Sequence, residues 1–140
     1  MKLSARNQIK GTVKNINRGA VNGIVTIAFG EGQTISATIS LAAIEELGLE
    51  VGKEAYAVIK ATEVMVGLGE LTLSARNKFA GEVTAVNKGA VNAIVKIRIA
   101  SGDVISATIS MNAVEELGLE AGKEAVAVIK ATSVMVGVDD

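Results

Sequence analysis

The chain repeats itself after 70 residues, and this repeat limits what it can fold into more than any other feature. Residues 3–67 align with residues 73–137 without a gap, and 43 of the 65 aligned positions are identical. The phrase "LSARN", for example, occupies residues 3–7 and returns at residues 73–77. A repeat of this length predicts two copies of one small folded unit.

The two copies are joined by a very short segment. Residues 68–71 read "LGEL", too short for a free linker, so we expect the units to pack against each other. We place the first unit at residues 1–68 and the second at residues 71–140. A unit of this size buries only about 60% of its unfolded surface. Fusion and self-association are therefore expected to add stability.

Each unit is predicted to be mainly β. The phrases "GTVKNI", "GIVTIAF", "TISATIS" and "EAYAVIKATEVMV" are rich in β-branched residues and alternate or run apolar. "NINRGAVNG", residues 15–23, has the Asn and Gly content of a hairpin connection. "SLAAIEELG" is the helical phrase, with Ser40 as N-cap and Gly48 as its stop. The predicted fold is two tandem OB-like five-stranded β-barrels, each with one short helix.

Composition disfavours several function classes. The chain has no His and no Cys, which removes the commonest general base and any thiolate nucleophile, so an enzyme is disfavoured. A net charge of −1 and only three aromatic residues disfavour nucleic-acid binding. We find no apolar run long enough to span a bilayer and no signal-peptide pattern at the start. The expectation is a cytoplasmic protein without a membrane partner.

One set of polar residues consists of hydrogen-bond donors without accompanying carboxylates. Ser4 and Arg6 are two apart in a segment predicted to be extended, so their side chains should leave the same face, and Lys60 and Thr62 should share one face of a strand that runs through "YAVIKAT". Ser40 stands at a helix start. Donors without acceptors suit a fully deprotonated oxyanion. The second unit keeps the equivalent residues Ser74, Arg76, Ser110, Lys130 and Thr132.

Each of these residues also has a purely structural explanation. Ser40 could serve only as a helix cap, Lys60 could lie along an edge strand with its ammonium in water, and Arg6 could pair with a glutamate. Asn22 and Asn92 are typical turn formers. The donors stay the same in both copies while many surface positions change, which favours a site.

The phrases "SARNQIKGTV", "GAVNGIV", "ISATIS", "LGLEVGKE" and "VIKATEVMVG" resemble the molbindin (Mop) domain, the molybdate-binding member of the TOBE group. The resemblance covers both units. It implies a cytoplasmic di-Mop protein that assembles as a homotrimer and reversibly binds molybdate or tungstate at barrel–barrel interfaces for molybdenum storage. The anion would bind without direct metal coordination and without a further cofactor. The alternatives are a structural oligomerisation domain and a nucleic-acid-binding module.

The resemblance also implies the ligand residues. Matched motif by motif, the molybdate ligands are Ser4, Arg6, Ser40, Lys60, Ala61, Thr62, Ser74, Arg76, Ser110, Lys130, Ala131 and Thr132. Ser40 and Ser110 stand where relatives often have Thr, a change that keeps the hydroxyl. A second type of anion site, built largely from backbone amides, would use Ala20, Val21, Asn22, Ala90, Val91 and Asn92.

Overall fold

The structure, a computed structural model, describes residues 1–139 and is mainly β, as predicted. The first unit contains β1 (Asn7–Arg18), β2 (Asn22–Phe29), β3 (Gln33–Ser40), α1 (Leu41–Glu46), β4 (Glu54–Ile59), a 3-10 turn (Ala61–Glu63) and β5 (Met65–Gly67). The second unit contains β6 (Asn77–Lys88), β7 (Asn92–Ile99), β8 (Val104–Ser110), α2 (Met111–Leu117), β9 (Glu124–Ile129), a 3-10 turn (Ala131–Ser133) and β10 (Met135–Gly137). The prediction of five strands and one short helix per unit is confirmed.

The last strand of each unit pairs with the sheet of the other unit. The two sheets have the strand orders β10-β4-β1-β2-β3 and β5-β9-β6-β7-β8, and all their pairings are antiparallel. Met65 lies opposite Val128, and Met135 lies opposite Val58. Each sheet therefore takes four strands from one unit and one strand from the other.

The two units share one continuous core. Both sheets curl, so that β10 approaches β3 and β5 approaches β8. The buried side chains are mostly Val, Ile and Ala, as expected for a chain with so few aromatic residues. Phe29 and Phe79, one from each unit, meet edge to face with ring centroids 5.8 Å apart. The units therefore pack against each other, as the short joint predicts.

The helix prediction is confirmed in detail. The Ser40 hydroxyl accepts a hydrogen bond from the Ala43 N–H at 3.0 Å, the usual geometry of an N-cap. Ile44 is buried against the core, and Gly48 follows the helix with a positive φ of 61°. Lys53 Nζ donates to the carbonyl of Leu47 at 2.8 Å and so satisfies one end of the helix.

Two predicted extended segments are wrong. The strand through "YAVIKAT" ends at Ile59, and Lys60 instead begins the 3-10 turn. The chain must turn there because it leaves its own sheet to reach the sheet of the other unit. The segment holding Ser4 and Arg6 bends at both residues, and β1 begins only at Asn7. Strand alternation therefore does not determine which way these side chains point.

Strand exchange predicts how a separated unit behaves. Residues 1–70 alone have no β10 to complete their sheet, but their own β5 has the same sequence, "MVG". We expect two copies of this fragment to exchange β5, so that the fragment assembles in even numbers of copies. Size-exclusion chromatography with light scattering measures the mass. A fragment ending at residue 64 is the control, and it should not dimerise. A stable monomer of residues 1–70 would contradict the prediction.

Candidate functional site

Two cavities lie where the units meet, and they hold most of the predicted donors. The first cavity, about 400 Å³, is lined by Leu3, Ser4, Ala5, Arg6, Lys60, Ala61 and Thr62 of the first unit and by Thr108 and Met135 of the second. The second cavity, about 220 Å³, is lined by Ser74, Ala75, Arg76, Lys130, Ala131 and Thr132 of the second unit and by Thr38 of the first. Each cavity is thus completed by the other unit.

Strand pairing explains how residues far apart in sequence meet at each cavity. β1 and β4 are antiparallel neighbours, with Asn7 opposite Ile59. The residues just before Asn7 and just after Ile59 therefore leave the sheet at the same end. Asn77 and Ile129 are paired in the same way in the second unit. The "SAR" segment and the "KAT" turn of each unit are brought together by this register.

A buried asparagine joins the two walls of each cavity. Asn7 Nδ2 donates to the Ser106 carbonyl at 2.9 Å, and the Ser106 N–H donates to Asn7 Oδ1 at 2.8 Å. Asn77 makes the same pair of bonds with Ser36, at 2.9 and 2.8 Å. Asn7 and Asn77 are only 2% and 3% exposed. We did not predict this role, although the Asn of "SARN" is present in both copies.

Thr38 and Thr108 are cavity residues that our sequence analysis missed. Thr108 lies two residues after Ser106 on β8, an outer strand of its sheet. Backbone N–H groups two residues apart point to the same strand edge, so the Thr108 N–H lies on the edge that Asn7 contacts. Both the hydroxyl and the N–H of Thr108 are therefore candidate donors. The only sequence signal was the repeated phrase "ISATIS", from which we had selected the last serine.

Ser40 and Ser110 are outside the residues that line the two cavities. Their hydroxyls accept hydrogen bonds from Ala43 and Ala113, so they act as helix caps in this structure. Helix capping, the purely structural role considered for Ser40, therefore accounts for the hydrogen bond of its hydroxyl.

The candidates for a second type of site lie at two hairpin tips. Ala20, Val21, Asn22, Ala90, Val91 and Asn92 are found where β1 joins β2 and where β6 joins β7. At the first tip the Gly19 N–H donates to the Asn22 carbonyl at 2.8 Å, and the Leu41 N–H donates to the Val21 carbonyl at 3.0 Å. The Val21 side chain is 73% exposed. These turns are held by backbone hydrogen bonds within the turn and to the start of the following helix, and they do not line the two cavities.

The cavities favour negative charge. Each is lined by one Arg, one Lys and hydroxyl groups, and no carboxylate of residues 1–139 lines either one. The ion pairs found within residues 1–139 involve none of the four cavity cations. Arg6 therefore does not pair with a glutamate in this structure. The four side chains are exposed, so their charges remain available to a ligand.

A different cavity has the opposite character. It measures about 540 Å³ and is lined by glycines together with Glu70, Glu82 and Glu124. Its carboxylates would repel an anion, so it is not a competing anion site.

The 3-10 turns that carry the donors also touch each other, because Ser133 Oγ donates to Glu63 Oε2 at 3.1 Å.

Tyr56 is the one tyrosine of the chain. Its hydroxyl donates to Asp139 Oδ2 at 2.8 Å, and this hydrogen bond raises the pKa of Tyr56 above its ordinary value. The phenol therefore stays protonated at neutral pH and is poorly suited to act as a general base. The second unit has Val126 at the equivalent position, so this feature is not part of the repeated site.

Comparison with known proteins identifies the units. The TOBE domain model matches residues 3–66 and 73–136. A crystal structure of the cytoplasmic molybdate-binding protein ModG with molybdate bound has a TM-score of 0.96 and 43% sequence identity, covering 99% of this chain and 100% of that one. A probable molybdenum-pterin-binding protein of Haemophilus influenzae is 65% identical over 68 residues, which are 49% of this chain and 99% of that protein.

Longer relatives match both units together. The molybdenum transport protein ModE of Herbaspirillum seropedicae is 39% identical over 140 residues, and the molybdenum-pterin-binding protein MopA of Rhodobacter capsulatus is 35% identical over 137 residues. These alignments cover 99% and 96% of this chain and 52% of each relative, so the chain spans about half of their length. Neither helix within residues 1–139 is long and apolar enough to cross a membrane.

The capping role of Ser40 has a measurable consequence. Ser40→Ala removes the acceptor for the Ala43 N–H and should lower the free energy of unfolding by about 1 kcal/mol. Ser40→Asp keeps an acceptor at the cap and is the control, expected to retain most of the stability. Urea denaturation followed by circular dichroism measures both variants. Equal stability of Ser40→Ala and the unchanged protein would show that the cap contributes nothing.

Proposed function

We propose that this chain, which belongs to the TOBE domain family, reversibly binds molybdate at its two donor cavities and serves as an intracellular store of molybdenum. The observation that carries the proposal is the meeting of "SAR", "KAT" and a threonine of the other unit around each cavity. The likeness to molybdate-bound ModG over the whole chain supports the same function.

The donor set suits a tetrahedral dianion. The Arg6 guanidinium offers several N–H groups in a fixed plane, Lys60 adds a compact charge, and Ser4, Thr62 and Thr108 add hydroxyls. The Ala61 N–H lies in the same turn. Removing a dianion from water is costly, and the cost is offset only when several charge-assisted hydrogen bonds form together. The second cavity repeats the set with Arg76, Lys130, Ser74, Thr132 and Thr38.

The lining of the two cavities favours the free oxyanion over a molybdenum-pterin. Sites for drug-sized ligands usually measure about 300 to 1,000 Å³. The first cavity, about 400 Å³, lies within that range, and the second, about 220 Å³, lies below it. Their linings also offer no aromatic side chain on which a pterin could stack. Although several relatives are named molybdenum-pterin-binding proteins, molybdate alone is the ligand that fits this chain best.

Anion selectivity follows from bond length. Molybdate and tungstate have nearly the same size, so we expect both to bind. Sulfate has shorter bonds to oxygen and cannot reach donors on both walls of a cavity at once. A protonated phosphate would bring an O–H group to a cavity without an acceptor carboxylate. These differences would allow uptake of molybdate in a cytoplasm that contains sulfate and phosphate.

Self-association into a homotrimer is the second part of the proposal. Apolar side chains are exposed beside the cavities and at the hairpin tips; they are Leu3, Leu73, Met65, Met135, Val21 and Val91. Burying such residues against further copies would cover the exposed donors and strengthen their hydrogen bonds by excluding water. Bringing hairpin tips of several chains together would also group the backbone amides proposed for a second type of site.

Nucleic-acid binding is less well supported. OB-type modules stack bases on exposed aromatic rings. Here Phe29 and Phe79 are 5% and 7% exposed and pack against each other, and the Tyr56 hydroxyl is bonded to Asp139. The half-buried ring of Tyr56 is the one ring outside the core, and a single ring does not form a stacking surface for successive bases. A purely structural role would leave four unpaired cations around two cavities without a ligand.

Single-cavity variants test the site assignment. Arg6→Ala or Lys60→Ala removes a charged donor from the first cavity and should weaken molybdate binding there by about 2 kcal/mol, or about 30-fold. Thr108→Val keeps the shape but loses the hydroxyl, and about 10-fold weaker binding is expected. Isothermal titration resolves the first cavity from the unchanged second one. Lys14→Ala, an exposed cation away from both cavities, is the control.

The proposal as a whole is tested by titrating the unchanged protein with molybdate in excess sulfate. Saturable uptake of at least two anions per chain, with tungstate competing and sulfate not, is expected. Light scattering on the same sample should give three times the mass of one chain. Absence of uptake together with an unchanged assembly would support the structural role instead.

A further inference from the structure

We propose that Asn7 and Asn77 are positioning residues for anion binding, an inference that rests on the proposed function. Each side chain fixes the position of the donor segment of its own unit relative to the strand of the other unit that forms the opposite wall of the cavity. Neither asparagine lines a cavity, so neither is expected to touch the anion.

The geometry gives each asparagine two short connections. On one side Asn7 directly follows Arg6, which lines the first cavity. On the other side its amide group makes two hydrogen bonds with Ser106, at 2.9 and 2.8 Å, and Ser106 lies two residues before Thr108. Arg6 and Thr108, on opposite walls of one cavity, are thus linked through a single buried side chain. Asn77 links Arg76 and Thr38 in the same way through Ser36.

The side-chain amide is suited to this role because it mimics a neighbouring strand. One N–H and one C=O group bond to the C=O and N–H of the same residue on a free strand edge, so that both sliding and rotation are restricted. A carboxylate could not donate and an ammonium could not accept. At 2 to 3% exposure these bonds are also shielded from water, which makes them costly to break.

Anion affinity depends on this link because donors on both walls must reach one small ion. A displacement of the walls by a fraction of an ångström lengthens several charge-assisted bonds together. Residues that only orient ligands in metal sites typically change affinity by about 10- to 100-fold. A similar effect is expected when the amide of Asn7 is removed.

The test uses a background with one competent cavity per chain. Arg76→Ala with Lys130→Ala disables the second cavity, and molybdate binding to the first is measured by isothermal titration. Adding Asn7→Ala should weaken binding about 10- to 100-fold while the assembly mass stays unchanged. Asn7→Thr keeps one hydrogen-bonding group, so its affinity for molybdate should lie between those of the background and of Asn7→Ala. This variant also serves as the test if Asn7→Ala fails to fold.

Phe79→Ile is the matched control for general loosening of the contact between the units. Phe79 lies in that contact but lines neither cavity, and Ile is what the first unit carries at the equivalent position, Ile9. Its affinity should stay within about two-fold of the background, as for sites that do not interact. Urea denaturation of each variant measures how much stability it has lost.

The outcomes separate the positioning role from the proposed function. Unchanged affinity in Asn7→Ala, or equal losses in Asn7→Ala and Phe79→Ile, would overturn the positioning role while molybdate binding stands. Absence of uptake by the unchanged protein would overturn both. A loss specific to Asn7→Ala in the first cavity, and to Asn77→Ala when the second cavity is the competent one, supports the proposal.

Discussion

Each unit gives its last strand to the sheet of the other, β5 pairing with β9 and β10 with β4. To do so, the chain must leave its own sheet after Ile59, and the 3-10 turn Ala61–Glu63 packs against β8 of the other unit. The donors Lys60 and Thr62 are therefore located where the units meet. The register of β1 against β4 adds Ser4 and Arg6 at the same end. A two-walled cavity thus follows from the exchange of strands that are only three residues long.

The edges of β3 and β8 serve two purposes. An outer strand with unpaired backbone groups is prone to pair with another chain, and this sequence has no proline to prevent it. Asn7 bonds to the backbone N–H and C=O of Ser106 on the β8 edge. The N–H of Thr108, two residues along the same edge, is left for the cavity that Thr108 lines. The protected residue, Ser106, and the residue that offers a donor, Thr108, are thus only two positions apart on β8. Any ligand that accepts from Thr108 continues the pairing that the asparagine begins.

The repeat, the strands, the hairpins and the helix caps could be predicted because each leaves a local pattern. The break at Lys60 could not, since the alternating pattern continues through it. The exchange of strands leaves no signal either: Val58 and Val128 have nearly identical neighbours, so pairing within a unit and between units produces the same sequence pattern. In "ISATIS", alternation puts Ser36, Thr38 and Ser40 on one face. The helix-start argument led to Ser40, but the cavity wall is formed by Thr38.

The two units have kept the same donors but differ at two of the places where they contact each other. Glu63 meets Ser133, and these two residues occupy equivalent positions of the repeat. Phe29 meets Phe79, whereas the residue equivalent to Phe29 is Ile99 and the residue equivalent to Phe79 is Ile9. Two identical units related by a two-fold axis would bring like residues together at position 63, either two carboxylates or two hydroxyls. A carboxylate facing a hydroxyl forms a hydrogen bond instead. Such unlike pairs favour exchange between the two units of one chain over exchange between identical units of different chains. The units thus differ at these two contacts, while the residues that line the cavities are the same in both copies.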